Sequence, residues 1–182
     1  KRSLSAEIGA HMEEEVIAVF NDFEKFFDTI DIVMFIFECL KANFPVLDLA
    51  IGIQQHMAPR VIQCQGYCGT TMQVVNSILA GCKYAVAFTR GLLKSSITTI
   101  VNLHPLARPK VYVDDTAMIT KGTKYRAMDN MIASIETFSE KVKDLKLTLS
   151  TKLGGAVIVS KNPDTAEKLA RILKTNLNLT YQ

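Results

Sequence analysis

Two adjacent carboxylates, Asp114 and Asp115, stand in "RPKVYVDDTAMIT", a stretch whose apolar alternation otherwise reads as a buried β-hairpin. Asp suits tight turns, so the pair by itself asks for nothing more than a hairpin tip. A further acid, Asp22, ends a second apolar, strand-like run in "VIAVFNDFEKFFDTID". A sheet can bring the ends of two such strands together. Three carboxylates gathered without matching cations repel one another and need metal ions to neutralise them. Mg²⁺ prefers oxygen ligands and is typically held by one or two carboxylates together with substrate phosphates. Two such ions, about 3.5 to 4 Å apart, clamp an in-line phosphoryl transfer.

The surrounding elements must present those acids. Glu7 to Ala18 carries a weak helical pattern, and the run that follows reads as a strand leading into Asp22. Asp31 is placed to cap a helix over "IVMFIFECLKANF", and Pro45 opens another from Val46 to about His56. After Pro59, "RVIQC" is strand-like, and "QGYCGTT" sets two glycines around a turn. Thr70 and Thr71 can cap a helix over "MQVVNSILAGCKYAVAF", and Thr89 to Pro109 reads as a connection with a short helix. "KVYVDDTAMIT" is strand, two-residue turn, strand, with Asp114-Asp115 at the tip. Ala127, Met131, Ile135, Phe138, Val142 and Leu145 recur at helical spacing and predict an amphipathic helix over Tyr125 to Leu145. "LKLTLS" and "GAVIVS" suggest a hairpin around Lys152 to Gly155, and Asp164 is placed to cap a last helix, "TAEKLARILKTN". The expected class is α+β: a small antiparallel sheet with helices on one face.

Composition narrows the classes. A chain of 182 residues, 48% hydrophobic and 21% charged, is ordinary for one folded domain and unlike a disordered one. Cys39, Cys64, Cys68 and Cys82 lack the spacing of a zinc site or a disulfide framework, so free thiols in a reducing compartment are expected. The longest apolar run, Ile32 to Phe37, is far short of a bilayer span, and no signal peptide is visible. The opening "KRSLS" suggests a piece of something longer. No Asp or Glu occurs from Leu49 to Val113, where Arg60, Lys83, Arg90, Lys94, Arg108 and Lys110 all fall. A surface of one sign beside concentrated carboxylates suits a site that handles polyanions, although a helix-rich core segment that happens to lack acids explains the charge alone.

The order of "NDFEKFFDTID", "QGYCGTT", "VYVDD" and "LKLTLSTK" resembles motifs A, B, C and D of a reverse transcriptase palm, most like those of retroelements, over roughly Val16 to Ser160. By that resemblance Asp22 stands at the first metal-binding aspartate of motif A, with the Phe23 carbonyl as a second ligand, and Asp114 and Asp115 stand at the motif C pair. Two Mg²⁺ ions are implied, with Mn²⁺ as a substitute. Phe27 falls where the family keeps an aromatic gate against a ribose 2′-OH; a core aromatic is the plainer alternative. Gln65 and Gly66 begin motif B, which lines the nucleotide and template side of the pocket, and Gly69 and Thr70 continue it. Tyr112 of "YVDD" is implied as a further substrate contact. Lys152 resembles the motif D lysine near the leaving pyrophosphate, where a solvated surface lysine is equally expected. Asp28 and Asp31 fit turn and capping roles. Cys68, Gly69 and Thr71 depart from the Pro and Ser-Pro common in motif B, and "LKLTLS" lacks the frequent Asn of motif D.

The resemblance implies an RNA-directed DNA polymerase palm that joins a dNTP to a primer 3′-OH on an RNA template. The expected organisation is one palm domain over residues 1–182, a fragment of a longer polyprotein. Fingers and thumb are largely absent from it, and an endonuclease or RNase H segment would lie elsewhere in the parent. An intracellular setting, cytoplasmic or nuclear, without membrane partners, goes with it. Positioning of primer and triphosphate is worth on the order of 7 to 11 kcal/mol, and in the family much of it comes from fingers and thumb. This chain alone is therefore expected to extend a primer poorly and to bind nucleic acid weakly. Two rivals stand beside this reading: an inert relic of a mobile-element polymerase, and a non-polymerase palm such as a nucleotide cyclase. "QGYCGTT" between the acidic motifs favours the polymerase.

Overall fold

The structure is a computed structural model that describes residues 14–152 and 155–181. Along the chain come β1 (Glu15–Asn21), α1 (Phe26–Thr29), α2 (Ile32–Lys41), α3 (Val46–Met57), β2 (Gln63–Cys64) and β3 (Tyr67–Cys68). They are followed by α4 (Ala85–Leu103), β4 (Arg108–Tyr112), β5 (Asp115–Gly122), α5 (Lys124–Asp144), β6 (Ala156–Ser160) and α6 (Pro163–Leu177). Two compact units result, one from the chain up to Glu24 together with the chain from Ser96 on, the other from Lys25–Ser95.

The first unit is a mixed α/β layer around a four-stranded antiparallel sheet of order β4-β5-β1-β6. Alternation in "EVIAVFN" sends Ile17, Val19 and Asn21 to the buried side of β1 and Phe20 to the exposed side. Its register with β5 runs from Glu15↔Gly122 to Asn21↔Thr116. Helix α5 covers β5 and β1, and α6 packs on β6 and α5. The stripe Ala127, Met131, Ile135, Phe138, Val142 meets the sheet as its spacing requires, and all five are buried. Phe138 takes the edge of Phe23 at 6.2 Å between ring centres. On α6, Thr165, Leu169 and Leu173 repeat every fourth residue and are buried.

The second unit gathers α1, α2, α3, the β2–β3 hairpin and the first part of α4. Phe88 is its centre, with the rings of Phe35, Phe44, His56 and Tyr84 between 5.0 and 5.7 Å away. Gly52 lets α3 lie on that ring, since a Cβ there would come within 2.2 Å of Phe88. Asp31 caps α2 as expected, accepting from the amides of Val33 and Met34 at 3.0 Å.

Several expectations are corrected. The helix expected over 72–88 begins only at Ala85, and the supposed connection after Thr89 is helix as far as Leu103. Between them the backbone bonds elsewhere: Met72 bridges Arg60, while the amides of Ser77, Ile78 and Leu79 donate to Ile30, Phe27 and the His56 ring. Ser77 and Gly81 also sit at positive φ, 98° and 81°, which no helix admits. Thr70 and Thr71 therefore cap nothing. "GAVIVS" pairs with β1 rather than with "LKLTLS", of which only Leu149 bridges, to Phe23. Part of the turn expected between them lies outside the described residues, as does most of the helical pattern from Glu7; its described end, Glu15 to Ala18, is strand. The last helix is capped by Asn162, which accepts from the Asp164 amide at 3.0 Å, with Pro163 in its first turn.

His56 is buried, and its Nδ1 accepts the Leu79 amide proton at 2.8 Å. Burial, then the charge of Arg60, lowers its pKa below the ordinary 6.5. The folded state thus favours the neutral ring. Its contribution to stability is complete above pH 6.5 and is lost as pH falls through the folded pKa. Urea midpoints should fall between about pH 6.5 and 5, before carboxylates titrate. His56→Gln should be less stable at pH 7.5 and flat across that window. A parallel decline in both proteins would assign the pH dependence to other groups.

Candidate functional site

The β1–β5 register decides what meets at the end of the sheet. Beyond the rung Asn21↔Thr116, the next residues outward are Asp22 and Asp115. Alternation points both to the face opposite the helices, and both are exposed. They line one open cavity of about 320 Å³ together with Phe20, Lys110, Tyr112, Gly155 and Val157, all from the first unit. Among the described residues, none of Asp22, Asp114 and Asp115 forms an ion pair.

Asp22 is clamped through its backbone. Its amide donates to Gly155 O at 2.9 Å and its carbonyl accepts from the Ser150 amide at 2.8 Å. Gly155 makes this approach possible, since a Cβ there would lie 2.3 Å from Ser150 Oγ. The hairpin tip falls one residue earlier than the sequence suggests. Its loop is Val113-Asp114, closed by Tyr112↔Asp115, so Asp115 already belongs to β5. Val113 has φ 58°, the sign a type II′ hairpin needs at its first loop residue, where Gly is usual. A β-branched residue there is strained, a feature that concentrates at functional sites.

The expected site residues divide as follows. Asp22, Tyr112 and Asp115 share the cavity. Asp114 stands half-buried in the loop beside it and is absent from the cavity lining. Phe23 is buried at its bridge to Leu149. Lys152 is exposed and pairs with Glu24 at 3.5 Å. Among the described residues no three His, Cys, Asp or Glu side chains are grouped closely enough to hold a metal by themselves.

Phe27, Gln65, Gly66, Gly69 and Thr70 belong to the second unit. Phe27 is half-buried, its ring edge-on to Phe26 at 5.2 Å between centres. Gln65 and Gly66, at φ 49° and 85°, form the two-residue tip of the β2–β3 hairpin. Positive φ at both positions is the type I′ pattern, for which Gly66 is well suited. Gly69 and Thr70 follow it, exposed.

The sequence reading placed Lys110 only within the basic stretch and Gly155 only at the end of a turn, and gave Asn21 no role. Lys110 was legible in principle, because strand alternation in "RPKVYVDD" sets Arg108, Lys110 and Tyr112 on one face. Gly155 and Asn21 carry no comparable signal.

No protein-family model and no curated protein sequence matches the chain. Among solved structures, apo telomerase from Candida tropicalis, truncated from its C-terminal domain, is similar in fold, with a TM-score of 0.62 at 11% identity. The match covers 88% of this chain and 34% of the telomerase chain, so this chain spans about a third of the length of its structural neighbour. The shared property is the fold. No helix among the described residues is long and apolar enough to cross a membrane.

Gly155→Ala should force Ser150 away from Asp22 and lower stability by about 1 to 3 kcal/mol, the usual cost of overpacking. Urea unfolding of parent and variant checks this; an unchanged midpoint would mean that the 150–155 turn gives way freely.

Proposed function

We propose that this chain is the palm of an RNA-directed DNA polymerase, joining a dNTP to a primer 3′-OH opposite an RNA template. The observation that carries the reading is the shared cavity of Asp22 and Asp115, two exposed carboxylates with no ion pair among the described residues, on a fold similar to that of telomerase. Such a pair fits Mg²⁺, which is held by one or two carboxylates and takes its remaining ligands from water and substrate phosphates. Asp22 and Asp115 would hold the ions, with Asp114 and the Phe23 carbonyl as further oxygen ligands. Bound there, a pair of Mg²⁺ or Mn²⁺ ions would activate the primer hydroxyl and offset charge on the transferring phosphate.

The protein's own part is positional. The Gly155 and Ser150 bonds hold the Asp22 backbone, and the hairpin holds Asp115 on the cavity with Asp114 in the loop beside it. Lys110 and Tyr112 offer a cation and an aromatic face on the same cavity, suited to a nucleotide. By the motif resemblance alone, Phe27 would exclude a ribose 2′-OH, Gln65, Gly66, Gly69 and Thr70 would serve nucleotide and template, and Lys152 would meet the leaving pyrophosphate once released from Glu24. The basic, acid-free stretch would hold template and primer through their phosphates. The remaining positioning groups of a complete polymerase would come from its fingers and thumb.

Asp22→Asn and Asp115→Asn remove charge at nearly constant shape. With excess Mn²⁺, the parent chain should add one or a few nucleotides to an RNA-templated DNA primer, and either variant should lose at least about 100-fold, as several kcal/mol of transition-state stabilisation disappear. Circular dichroism should be unchanged. Extension retained by both variants would overturn the site. An inert parent that also binds no Mn²⁺ would favour the relic.

Phe27→Val should narrow the preference for dNTP over rNTP by on the order of 10-fold or more, because a smaller side chain leaves room for the 2′-OH. Equal discrimination by parent and variant would leave Phe27 a core residue.

A further inference from the structure

The chain after α6 turns back toward the carboxylate end of the sheet. Asn178 ends the helix in the left-handed region, at φ 55°, and Leu179, two residues before Tyr181, is buried. The Tyr181 hydroxyl donates to Asn21 Oδ1 at 3.2 Å. Asn21 lies on the helix-covered side of β1, 5% exposed, where alternation calls for an apolar residue. Its backbone carbonyl accepts the Thr116 hydroxyl at 3.0 Å, and Thr116 is itself 5% exposed. Buried polar groups need such partners, and this set ties both strands of the last β1–β5 rung to the returning tail. Asp22 and Asp115 are the next residue on each strand, on the opposite face.

We propose that Tyr181 is a positioning residue: through Asn21 and Thr116 it fixes the separation of Asp22 and Asp115 and so sets the affinity of the cavity for divalent cations. This rests on the reading of the two carboxylates as metal ligands. The tail lies outside the resemblance, which ends near Ser160, and nothing in the acidic motifs points to it. Mg²⁺ demands near-ideal octahedral geometry, so a support one layer behind the carboxylates governs how tightly it is held. The hydroxyl suits the task because burial pushes its pKa up and keeps it a donor.

The test measures Mn²⁺ binding to the full chain by the paramagnetic resonance of free Mn²⁺, and Mg²⁺ binding by competition, beside urea unfolding. Tyr181→Phe removes only the hydroxyl and should weaken both ions about 10-fold or more, the usual effect of losing a group that orients a ligand. Leu179→Ala loosens the same tail without touching the hydrogen bond and should leave ion affinity near the parent's. Equal affinity in Tyr181→Phe and parent would overturn the positioning role while leaving the metal site intact. Equal weakening in Leu179→Ala and Tyr181→Phe would overturn it too, as the effect would then belong to the tail's stability. A parent that binds no better than Asp22→Asn would instead remove the metal reading on which the proposal stands.

Discussion

Antiparallel pairing of β1 with β5 joins Asn21 to Thr116 across 95 positions of sequence, and the juxtaposition of Asp22 with Asp115 follows from that register. Side chains alternate with a period of two, so a slip of one residue would move the apolar set Ile17, Val19, Met118 off the helices and swing Asp22 or Asp115 into the core. Burial makes that slip expensive. Helices α5 and α6 cover one face of the sheet, and the apolar contacts that hold them there also hold the two carboxylates side by side on the other face. Core and site are thus two faces of one register.

Elements with strong periodicity were legible in the sequence. The alternation of β1, the long stripe of α5 and the Asp31 cap each give a local signal that the tertiary structure has no reason to override. Residues 72–84 read as helix because apolar residues are frequent there, yet their amides bond to Ile30, Phe27 and His56, partners far away in sequence. The opposite error hid the second half of α4. Ser95, Ser96, Thr98 and Thr99 make it look like a loop, while Phe88, Leu92, Ser96 and Ile100 recur every fourth residue and are buried. The strand "GAVIVS" was recognisable as a strand, but its partner was not, because pairing with β1 rather than with the nearer "LKLTLS" is a matter of topology that propensity does not encode.

Legibility of the site followed the same line. Asp22 and Asp115 stood out because acids at the ends of apolar strands conflict with their surroundings. Gly155 and Asn21 did not, since a glycine in a turn and an asparagine after a strand are unremarkable by themselves. Their roles come from what approaches them: Ser150 against Gly155, Tyr181 and Thr116 against Asn21. Placement of the hairpin tip was missed by one residue because Val113 is a poor choice for positive φ. A reading from turn preferences shifts the loop onto the two aspartates, while the sheet register puts it on the residue least suited to it.

Strand β1 begins with one acid, Glu15, and is followed directly by another, Asp22, and their different treatment bears on function. Glu15 is 8% exposed, and its carboxylate accepts from the Ser160 hydroxyl and the Asn162 amide. The fold therefore satisfies a carboxylate on this strand where one is structural. Asp22, seven residues on, has its backbone held by two hydrogen bonds, yet its side chain is turned into an open cavity beside a second carboxylate, with no ion pair among the described residues. Fixing the main chain while leaving two like charges uncompensated gives up stability that an uncharged residue at either position would retain. That arrangement has a physical rationale if the missing positive charge arrives with a ligand, because carboxylates on a backbone already held in place need little reorganisation to receive it.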